Sequence, residues 1–557
     1  MHEGASGMAQ TQRDADVVII GGGHNGLVAG AWLARAGLQV VVLEAEGTVG
    51  GAMRSAAVTL PGFVHDLCSA FYPLFPVGPI GTLPLGRYGL EWRNFERPYG
   101  GATPGGPGVS VRATPEASAA VFEAAHAGDG RGYRELWDWW EWGGGATLDL
   151  LFHPLGDPRG VARGVPLLRQ PRRLLEFSQL MLSSARTLAL QSFAGADAQV
   201  WFVASALHSD LAPEASVGGA FSLVLSGLAQ QVGMPVPRGG AQQIADALRT
   251  YLEALGGPTL TGQRARQIVV RDGRAVAVRT ATDEFRARRA VLATIEPQQL
   301  FLDLVGEGHL PSDFVRLVRR FRHGMGTFKL DCALAAPPRF TAAALENTGV
   351  FHLAESVAMM SGAVNQGLRE LLPEHPLIIG GVQTLADPSR APAGQHTLWI
   401  ETHVPHHIRG DAAGTIAATD WAQAREPFAD RILAELERYA PGVSALVLAR
   451  HATSPDDMQA ENSNLVGGDI TGGSFILDQQ AIFRPFPGWF QYRTPLKGLY
   501  MSGAATHPGG GVQGAPGANA ARVLLTDLRI QQAGEAAAHG LDTLATQASR
   551  LLRRLVH

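Results

Sequence analysis

A glycine-rich turn between a short apolar run and a helical pattern constrains this chain more than any other feature. Residues 16–20 read DVVII, and the six residues from Gly21 to Gly26 read GGGHNG at the start of a predicted helix. Strand, tight turn and helix in this order are typical of a dinucleotide-binding βαβ unit. We expect Gly21 to permit the turn, Gly23 to let the backbone approach a pyrophosphate, and Gly26 to let the helix pack closely on the strand.

The next strand supplies a carboxylate for the same ligand. The predicted helix begins near His24 and Asn25, and its N-terminus presents unpaired N–H groups to the phosphates. A second apolar run, Leu38 to Leu43, ends in Glu44, which is placed to accept hydrogen bonds from ribose hydroxyls. Because turn, helix, strand and acid agree, the sequence predicts a dinucleotide site rather than an ordinary βαβ turn.

A second glycine-rich segment lies near the C-terminus. Residues 494–514 read TPLKGLYMSGAATHPGGGVQG and precede a predicted helix over residues 515–528. Bare backbone in such a loop can lie against a flavin ring, and the helix N-terminus can stabilise negative charge on the reduced ring. The residues from which we expect cofactor contacts here are Gly503, Ala504, Gly511, Val512 and Gln513.

The residues after Glu44 favour FAD over NAD. They read VGGAMR and contain Gly50, Gly51 and Arg54. This segment resembles the motif that follows the second strand in the flavin family of amine oxidases and phytoene desaturases. The resemblance implies that the glycine pair brings backbone close to the flavin side of FAD, and that Arg54 lies near the phosphates or the isoalloxazine. A surface position for Arg54 is the alternative.

Four further segments extend the resemblance through nearly the whole chain. They are FVHDLCSA at 63–70, VPRGG at 236–240, FKLD at 328–331 and GDITGG at 468–473. The chain resembles the phytoene desaturase-like FAD-dependent oxidoreductases, a family with carotenoid desaturases, isomerases and ketolases. It resembles most the poorly characterised pyridine nucleotide-disulfide oxidoreductase domain-containing branch. The resemblance implies FAD as cofactor and backbone near Ala265 at its adenine. One departure is Ala504, where many flavin enzymes carry an acidic residue.

The predicted fold is α/β, with a Rossmann-type FAD-binding domain interleaved with a mixed α+β substrate domain. A disordered tail at 1–15 is expected first. The FAD-binding domain is then predicted to comprise residues 16–90, 236–300 and 481–557, and the substrate domain residues 91–235 and 301–480. An Asp272-Gly273 hairpin between alternating apolar runs supports the middle FAD-binding segment.

The predicted reaction is hydride removal from a hydrophobic, polyene- or lipid-like substrate, as in a dehydrogenase or desaturase. The alternatives are a flavin-dependent ketolase or monooxygenase, a carotenoid-type isomerase, and a non-catalytic flavin-fold binding protein. A second GxGxxG for NAD(P)H is absent from the sequence, so oxygen or a quinone is the expected electron acceptor. His507 is the first candidate for proton transfer, followed by the weaker candidates Asp66, Lys329 and Asp469; structural hydrogen bonding is the alternative for each, and for His507 it is an equal one.

Composition narrows the remaining options. The net charge of −4 without a long basic stripe argues against nucleic-acid binding. The two cysteines, Cys68 and Cys332, favour a reducing, cytoplasmic location and exclude a dithiol redox pair. No metal is expected at the histidines of 401–407, because Pro405 interrupts any helix that would align them. Apolar stretches fall short of the ~20 residues that span a bilayer, which leaves open a peripheral membrane contact.

A cluster of four tryptophans occupies residues 137–142, which read WDWWEW. Such a cluster can line an apolar substrate channel or lie at a lipid interface. Packing between helices is the simpler interpretation, and we favour it.

Overall fold

The structure is a computed structural model that describes residues 11–162 and 164–534. Its strands, in chain order, are β1 (Thr11–Ile20), β2 (Val40–Leu43), β3 (Ser55–Ala56), β4 (His65–Asp66), β5 (Trp92–Arg93), β6 (Arg97–Ala102), β7 (Val109–Ser110), β8 (Val236–Pro237), β9 (Thr259–Leu260), β10 (Gln267–Arg271), β11 (Arg274–Arg279), β12 (Asp283–Ala293), β13 (Gly326–Leu334), β14 (Thr348–Leu353), β15 (Leu371–Leu372), β16 (Ile378–Gly381), β17 (His396–Val404), β18 (Gly410–Asp411), β19 (Val447–Thr453) and β20 (Leu499–Met501).

The α-helices lie mainly between the strands and in the segment that joins β7 to β8. They are α1 (His24–Arg35), α2 (Pro115–Ala125), α3 (Asp129–Phe152), α4 (Pro158–Ala162), α5 (Pro171–Leu182), α6 (Ala185–Ser192), α7 (Ala196–Leu207), α8 (Gly218–Gln231), α9 (Gln242–Ala254), α10 (Ser312–Arg319), α11 (Val357–Leu368), α12 (Trp421–Glu437), α13 (Pro455–Glu461) and α14 (residues 515–534). No helix within the described ranges combines the length and apolarity needed to cross a membrane.

One sheet is the Rossmann-type sheet that the sequence predicts. Its order is β10-β11-β12-β1-β2-β9, and β20 pairs with the end of β12. Strands β9, β2, β1, β12 and β20 run parallel, whereas β10 and β11 form an antiparallel hairpin with the start of β12. The strands come from three separate stretches of chain, 11–43, 259–293 and 499–501. The interleaved α/β fold is therefore confirmed.

The turn of that hairpin follows from its two residues. Asp272 and Gly273 both have positive φ, 49° and 70°, as a two-residue turn of type I′ requires. Asp272 tolerates this conformation and Gly273 adopts it without steric cost, so the prediction of a hairpin is correct.

The second sheet has the order β19-β13-β17-β16-β14-β6-β7. Its pairs are antiparallel except for β14 with β6. On β17 the side chains alternate between two cores: Leu398 and Ile400 pack with Trp421 and Phe428 of α12, while Trp399 packs toward α7 and α8. One face of the sheet thus packs against α12, and the other packs toward the helices between β7 and β8.

The predicted tail is shorter than expected. Residues 11–15 belong to β1 and pair with β12, for example Ala15 with Ala287, because the backbone of β12 offers parallel partners before the apolar run begins. The prediction of a tail is wrong for these five residues, and residues 1–10 lie outside the described part of the chain, as do residues 535–557 of the last predicted segment.

The tryptophans of α3 pack between helices. Trp140 is buried and donates its indole N–H to Gln231 of α8 at 3.0 Å, while Trp139 and Trp142 pack around Phe177 of α5. Gly227 permits this approach, since a Cβ there would lie 2.3 Å from the Trp140 ring. The interpretation as interhelical packing is therefore correct.

Candidate active site

A cavity of about 620 Å³ is bordered by both sheets and by the helices of residues 129–231. All predicted cofactor contacts line it except Gly26 and Gly50. The residues on the cavity are Gly21, Gly23, His24, Asn25, Glu44, Gly51, Arg54, Ala265, Gly503, Ala504, Gly511, Val512 and Gln513. Segments that are hundreds of residues apart in the chain therefore converge on one space.

The first glycine turn has the geometry that phosphate binding needs. Gly21 has φ +102° and donates its N–H to Leu43 at 2.8 Å, which ties the turn to β2. A Cβ on Gly26 would lie 1.9 Å from the Gly21 oxygen, so this glycine serves close packing rather than ligand contact. A Cβ on Gly23, by contrast, would have no atom of the described residues within 4 Å, apart from its own neighbours in the chain. The N-terminus of α1 is thus accessible to an anion.

Glu44 is held at the end of β2 with its carboxylate at the cavity. Oε2 accepts a hydrogen bond from Gly22 N at 2.7 Å, and Oε1 accepts one from Glu46 N at 2.8 Å. The Glu44 carbonyl also accepts from Gln263 N at 2.7 Å, which brings the segment with Ala265 beside it. These contacts leave carboxylate lone pairs for ribose hydroxyls.

The glycine pair and Arg54 lie next to the first turn. Gly50 donates to Gly22 O at 3.0 Å, and both glycines of the pair adopt positive φ, +130° and +57°. Arg54 donates through Nε to Gly51 O at 3.1 Å and forms an ion pair with Glu461 at 3.3 Å. Arg54 lines the cavity with 21% of its side chain exposed, so the surface alternative does not describe it.

The C-terminal loop is fixed by a buried guanidinium. Arg484 donates from Nη2 to Ala504 O at 2.8 Å and to Gly472 O at 3.0 Å, and from Nη1 to Ser474 O at 3.1 Å. Burial lowers the pKa of Arg484 to about 10. Ala504 has no carboxylate side chain, so contacts to the ribityl chain or the phosphates of FAD must come from backbone or other side chains.

One buried polar atom on the cavity points to a ligand. Nε2 of His24 is buried and, among the described residues, has no hydrogen-bond partner. Burial lowers the pKa of His24 to about 4, despite a raising effect from the Gly511 backbone, so the ring is neutral at pH 7. A polar ligand at the start of α1 would satisfy this nitrogen. The unpaired His24 nitrogen and the free space beside Gly23 together show that the residues present fit a dinucleotide.

The structure does not place His507 on this cavity. Its Nε2 lies 3.1 Å from the Leu150 carbonyl of α3, and its own carbonyl accepts from the Tyr492 hydroxyl at 2.8 Å. Burial lowers the pKa of His507 to about 4. The ring ties the loop to α3, so the prediction of proton transfer by His507 is replaced by a structural role.

The three weaker candidates are also engaged elsewhere. Asp66 pairs with the buried Arg390 and accepts from Ala241 N, and Lys329 pairs with Asp331. Asp469 accepts backbone N–H groups of 324, 471 and 473. None of the three lines the cavity.

Sequence reasoning missed the part of the cavity that lies beyond the nucleotide motifs. Its apolar wall comes from α3, α5 and α8 and comprises Leu151, Phe152, Met181, Phe221, Val224, Leu225 and Leu228. Trp399 and Glu401 of β17 and His208, which follows α7, also line it. The signal was present in the strand HTLWIETHV, where Trp399 and Glu401 alternate with the apolar residues Leu398 and Ile400.

Comparison with family models decides the family. Residues 168–525 match the model described as flavin containing amine oxidoreductase, and residues 19–79 match the model described as NAD(P)-binding Rossmann-like domain. The chain belongs to the flavin containing amine oxidoreductase family. As in other members of this family, its cofactor is FAD, and the first glycine turn of this flavin oxidoreductase falls inside the Rossmann-like match.

Curated relatives agree with this placement. The chain is 28% identical to "Pyridine nucleotide-disulfide oxidoreductase domain-containing protein 2" of Rattus norvegicus, over 95% of this chain and 96% of the relative. It is 25% identical to one component of the limonene dehydrogenase of Castellaniella defragrans, over 93% and 96%. It is 27% identical to "Phytoene desaturase (lycopene-forming)" of a Paracoccus species, over 55% and 58%. The resemblance to phytoene desaturase-like oxidoreductases is confirmed.

Solved structures support the fold of this flavin oxidoreductase. A redesigned putrescine oxidase superposes with a TM-score of 0.59 at 17% identity, covering 93% of this chain and 100% of the other. At that identity the likeness concerns the fold alone.

Proposed function

We propose that this flavin oxidoreductase is a dehydrogenase or desaturase that removes hydride from a hydrophobic, polyene- or lipid-like substrate. The observation that carries the proposal is the continuity of one cavity, in which the nucleotide motifs and a wall of apolar helical side chains border the same space. When bound, FAD supplies the hydride acceptor.

The wall of the cavity fits an apolar substrate. Leu151, Met181, Phe221 and Val224 present side chains that hydrogen-bond to nothing, so they select by shape and by exclusion of water. Phe221 packs edge-on against Phe475 at 5.3 Å between ring centroids, which fixes the wall where it approaches the C-terminal glycine loop. A substrate held there loses contact with water, which strengthens electrostatic effects at the reacting carbon.

Two relatives support this substrate class by name. One is part of a limonene dehydrogenase and another is a phytoene desaturase, and both names refer to hydrocarbons. An amine substrate is the competing choice suggested by the family name and by the fold of putrescine oxidase. We favour the hydrocarbon because the apolar wall offers dispersion contacts along its length rather than a series of polar groups.

We further propose that a membrane surface delivers such a substrate. The segment 165–182 exposes Leu168, Leu175 and Leu182 by 63%, 72% and 58%, and it also carries Arg172, which pairs with Glu176 at 3.2 Å. Met181, next to the last of these leucines, lines the cavity. A row of exposed leucines beside the cavity fits the surface of a bilayer. Sedimentation with anionic lipid vesicles tests this contact in the variant Leu175→Ser. Leu368→Ser is the control, since Leu368 is also exposed (66%) but lies outside this segment. Weaker vesicle binding by Leu175→Ser alone supports the contact, and equal binding by both variants and the wild type contradicts it.

The mass of the product and its dependence on oxygen distinguish the candidate reactions. Purified enzyme is incubated with a monoterpene, an acyclic carotenoid precursor or a primary amine, with a quinone under argon or with air. A product lighter by two hydrogens, formed with the quinone under argon, supports the dehydrogenase. A product that gains oxygen only in air identifies a ketolase or monooxygenase, and an unchanged mass with altered retention identifies an isomerase. Turnover of the amine alone overturns the hydrocarbon proposal, and no reaction with any of them favours a binding protein.

A further inference from the structure

Strand β17 carries a carboxylate to a buried position on the cavity. Because side chains alternate along a strand, Trp399, Glu401 and His403 share the face opposite to Leu398 and Ile400. Trp399 and Glu401 line the cavity, and the residue Glu401 is only 5% exposed. Burial of a carboxylate is costly unless an opposite charge or hydrogen bonds compensate it.

The histidine nearest to Glu401 does not neutralise it. Nδ1 of His208 lies 3.9 Å from Oε1 of Glu401, and Nε2 of His208 lies 2.8 Å from Nε2 of His352. Burial, with a further effect from the charge of His403, lowers the pKa of His208 to about 3. His208 is therefore neutral at pH 7 and faces Glu401 without a compensating charge.

The neighbouring cations have carboxylates of their own. His403 on β17 lies with Nδ1 3.0 Å from Oδ1 of Asp210, and Lys329 on β13, directly opposite Glu401 in the sheet, forms an ion pair with Asp331. Burial raises the pKa of Glu401 to about 7; His403 and Lys329 lower it, and Asp210 raises it.

A further titratable group beside Glu401 is the thiol of Cys68, which also lines the cavity. Burial and the charge of Glu401 raise the pKa of this thiol to about 12, so it stays protonated and does not compete as a base. Glu401 is thus a cavity-facing carboxyl that changes its protonation state close to neutral pH, where proton-transfer groups work best.

We infer that Glu401 is the proton acceptor of the reaction in this cavity. The inference rests on the proposed function and deepens it. In the step, one C–H bond of the substrate breaks with hydride transfer of both electrons to FAD, and the C–H bond on the adjacent carbon breaks with proton transfer to the Glu401 carboxylate. The electrons of the second bond become the new C=C π bond. The carboxyl group then returns its proton to water when the product leaves.

The test measures reduction of FAD in the holoenzyme, without oxygen, by the hydrocarbon that the wild type oxidises. The wild-type rate should rise with pH through about 7 and then level, because the acceptor must be ionised. Glu401→Gln should lower the rate about 10²- to 10⁴-fold and remove this pH dependence. Glu401→Asp should retain the dependence at an intermediate rate. Glu435→Gln is the matched control, since Glu435 on α12 is also 5% exposed but pairs with Arg438, which follows that helix.

A second measurement does not depend on turnover. Infrared spectra of the oxidised holoenzyme without substrate should show a protonated carboxyl band that titrates near pH 7, is absent from Glu401→Gln and persists in Glu435→Gln. If the wild type leaves FAD oxidised with every hydrocarbon tested, the proposed function fails and the proton role fails with it. If the wild type reduces FAD and Glu401→Gln does so with the same rate and pH profile, only the inference about Glu401 is overturned.

Discussion

Gly22 and Glu44 are joined by a hydrogen bond of 2.7 Å from the glycine N–H to Oε2 of the carboxylate. The glycine turn and the acid at the end of β2 therefore form one unit, in which the position of the acid depends on the turn. A dinucleotide that binds the turn with its phosphates meets the acid with its ribose.

Removing this carboxylate should weaken FAD binding. We expect Glu44→Ala to raise the Kd for FAD about 10- to 100-fold, since a hydrogen bond to a charged group contributes about 1.5–3 kcal/mol. Fluorescence titration of the apoprotein with FAD measures this change. Glu253→Ala, on the exposed face of α9, is the control and should bind FAD as the wild type does. Equal Kd values for Glu44→Ala and the wild type would contradict the assignment.

Two glycines of the same turn should separate folding from cofactor binding. Gly26→Ala places a Cβ 1.9 Å from the Gly21 oxygen and should lower the free energy of unfolding by about 1–3 kcal/mol. Gly23→Ala projects its methyl group into open space and should leave the apoprotein close to wild-type stability while weakening FAD binding. Urea unfolding of the apoproteins and FAD titration measure the two effects. A stable Gly26→Ala variant with normal packing would refute the interpretation of this turn.

The nucleotide site was predictable because it is local in sequence. The residues from Gly21 to Glu44 form one strand–turn–helix–strand unit, in which each residue's role follows from its neighbours. The cavity beyond it was not predictable, because its walls meet only in the fold: Glu401 and His208 are far apart in the chain and belong to different elements. His507 shows the converse error. Its position in the glycine loop suggested chemistry, but its ring contacts the Leu150 carbonyl and His507 is not among the residues that line the cavity.

Arg484 should be essential for the C-terminal loop. Its guanidinium donates to several carbonyls, including Gly472 and Ala504, so Arg484→Met leaves buried acceptors unpaired. We expect a loss of about 2–4 kcal/mol in the free energy of unfolding and a lower content of bound FAD. Chemical denaturation and the flavin-to-protein absorbance ratio give both values. Arg186→Met, at an exposed ion pair, should change neither by more than a small amount. Wild-type stability of Arg484→Met would argue against this clamp.

Loss of the His323 proton should lower the free energy of unfolding at alkaline pH. Burial lowers the pKa of this histidine, but Asp469 at 3.5 Å and Glu296 at 3.6 Å outweigh that effect and raise it to about 9. Because the folded pKa lies above the unfolded value of 6.5, the stabilisation is complete below pH ~6.5 and is lost as the pH rises through about 9. The wild type should lose about 2–3 kcal/mol over this window.

The variant His323→Gln isolates that contribution. Its free energy of unfolding, measured in urea at pH 6 and pH 9, should change less between the two pH values than that of the wild type. His126→Gln, at an exposed histidine, should keep the wild-type difference. The same pH dependence in His323→Gln and the wild type would show that another group is responsible.

The proposed hydride removal from a hydrocarbon is tested most directly by the visible absorption spectrum of the purified holoenzyme under argon, recorded before and after addition of a monoterpene or an acyclic carotenoid precursor. We expect the bands of an oxidised flavin at first and their loss when the hydrocarbon is added, with recovery on addition of a quinone or air. A flavin spectrum that no hydrocarbon bleaches but that a primary amine does, or a protein that takes up no FAD at all, would contradict the proposed function.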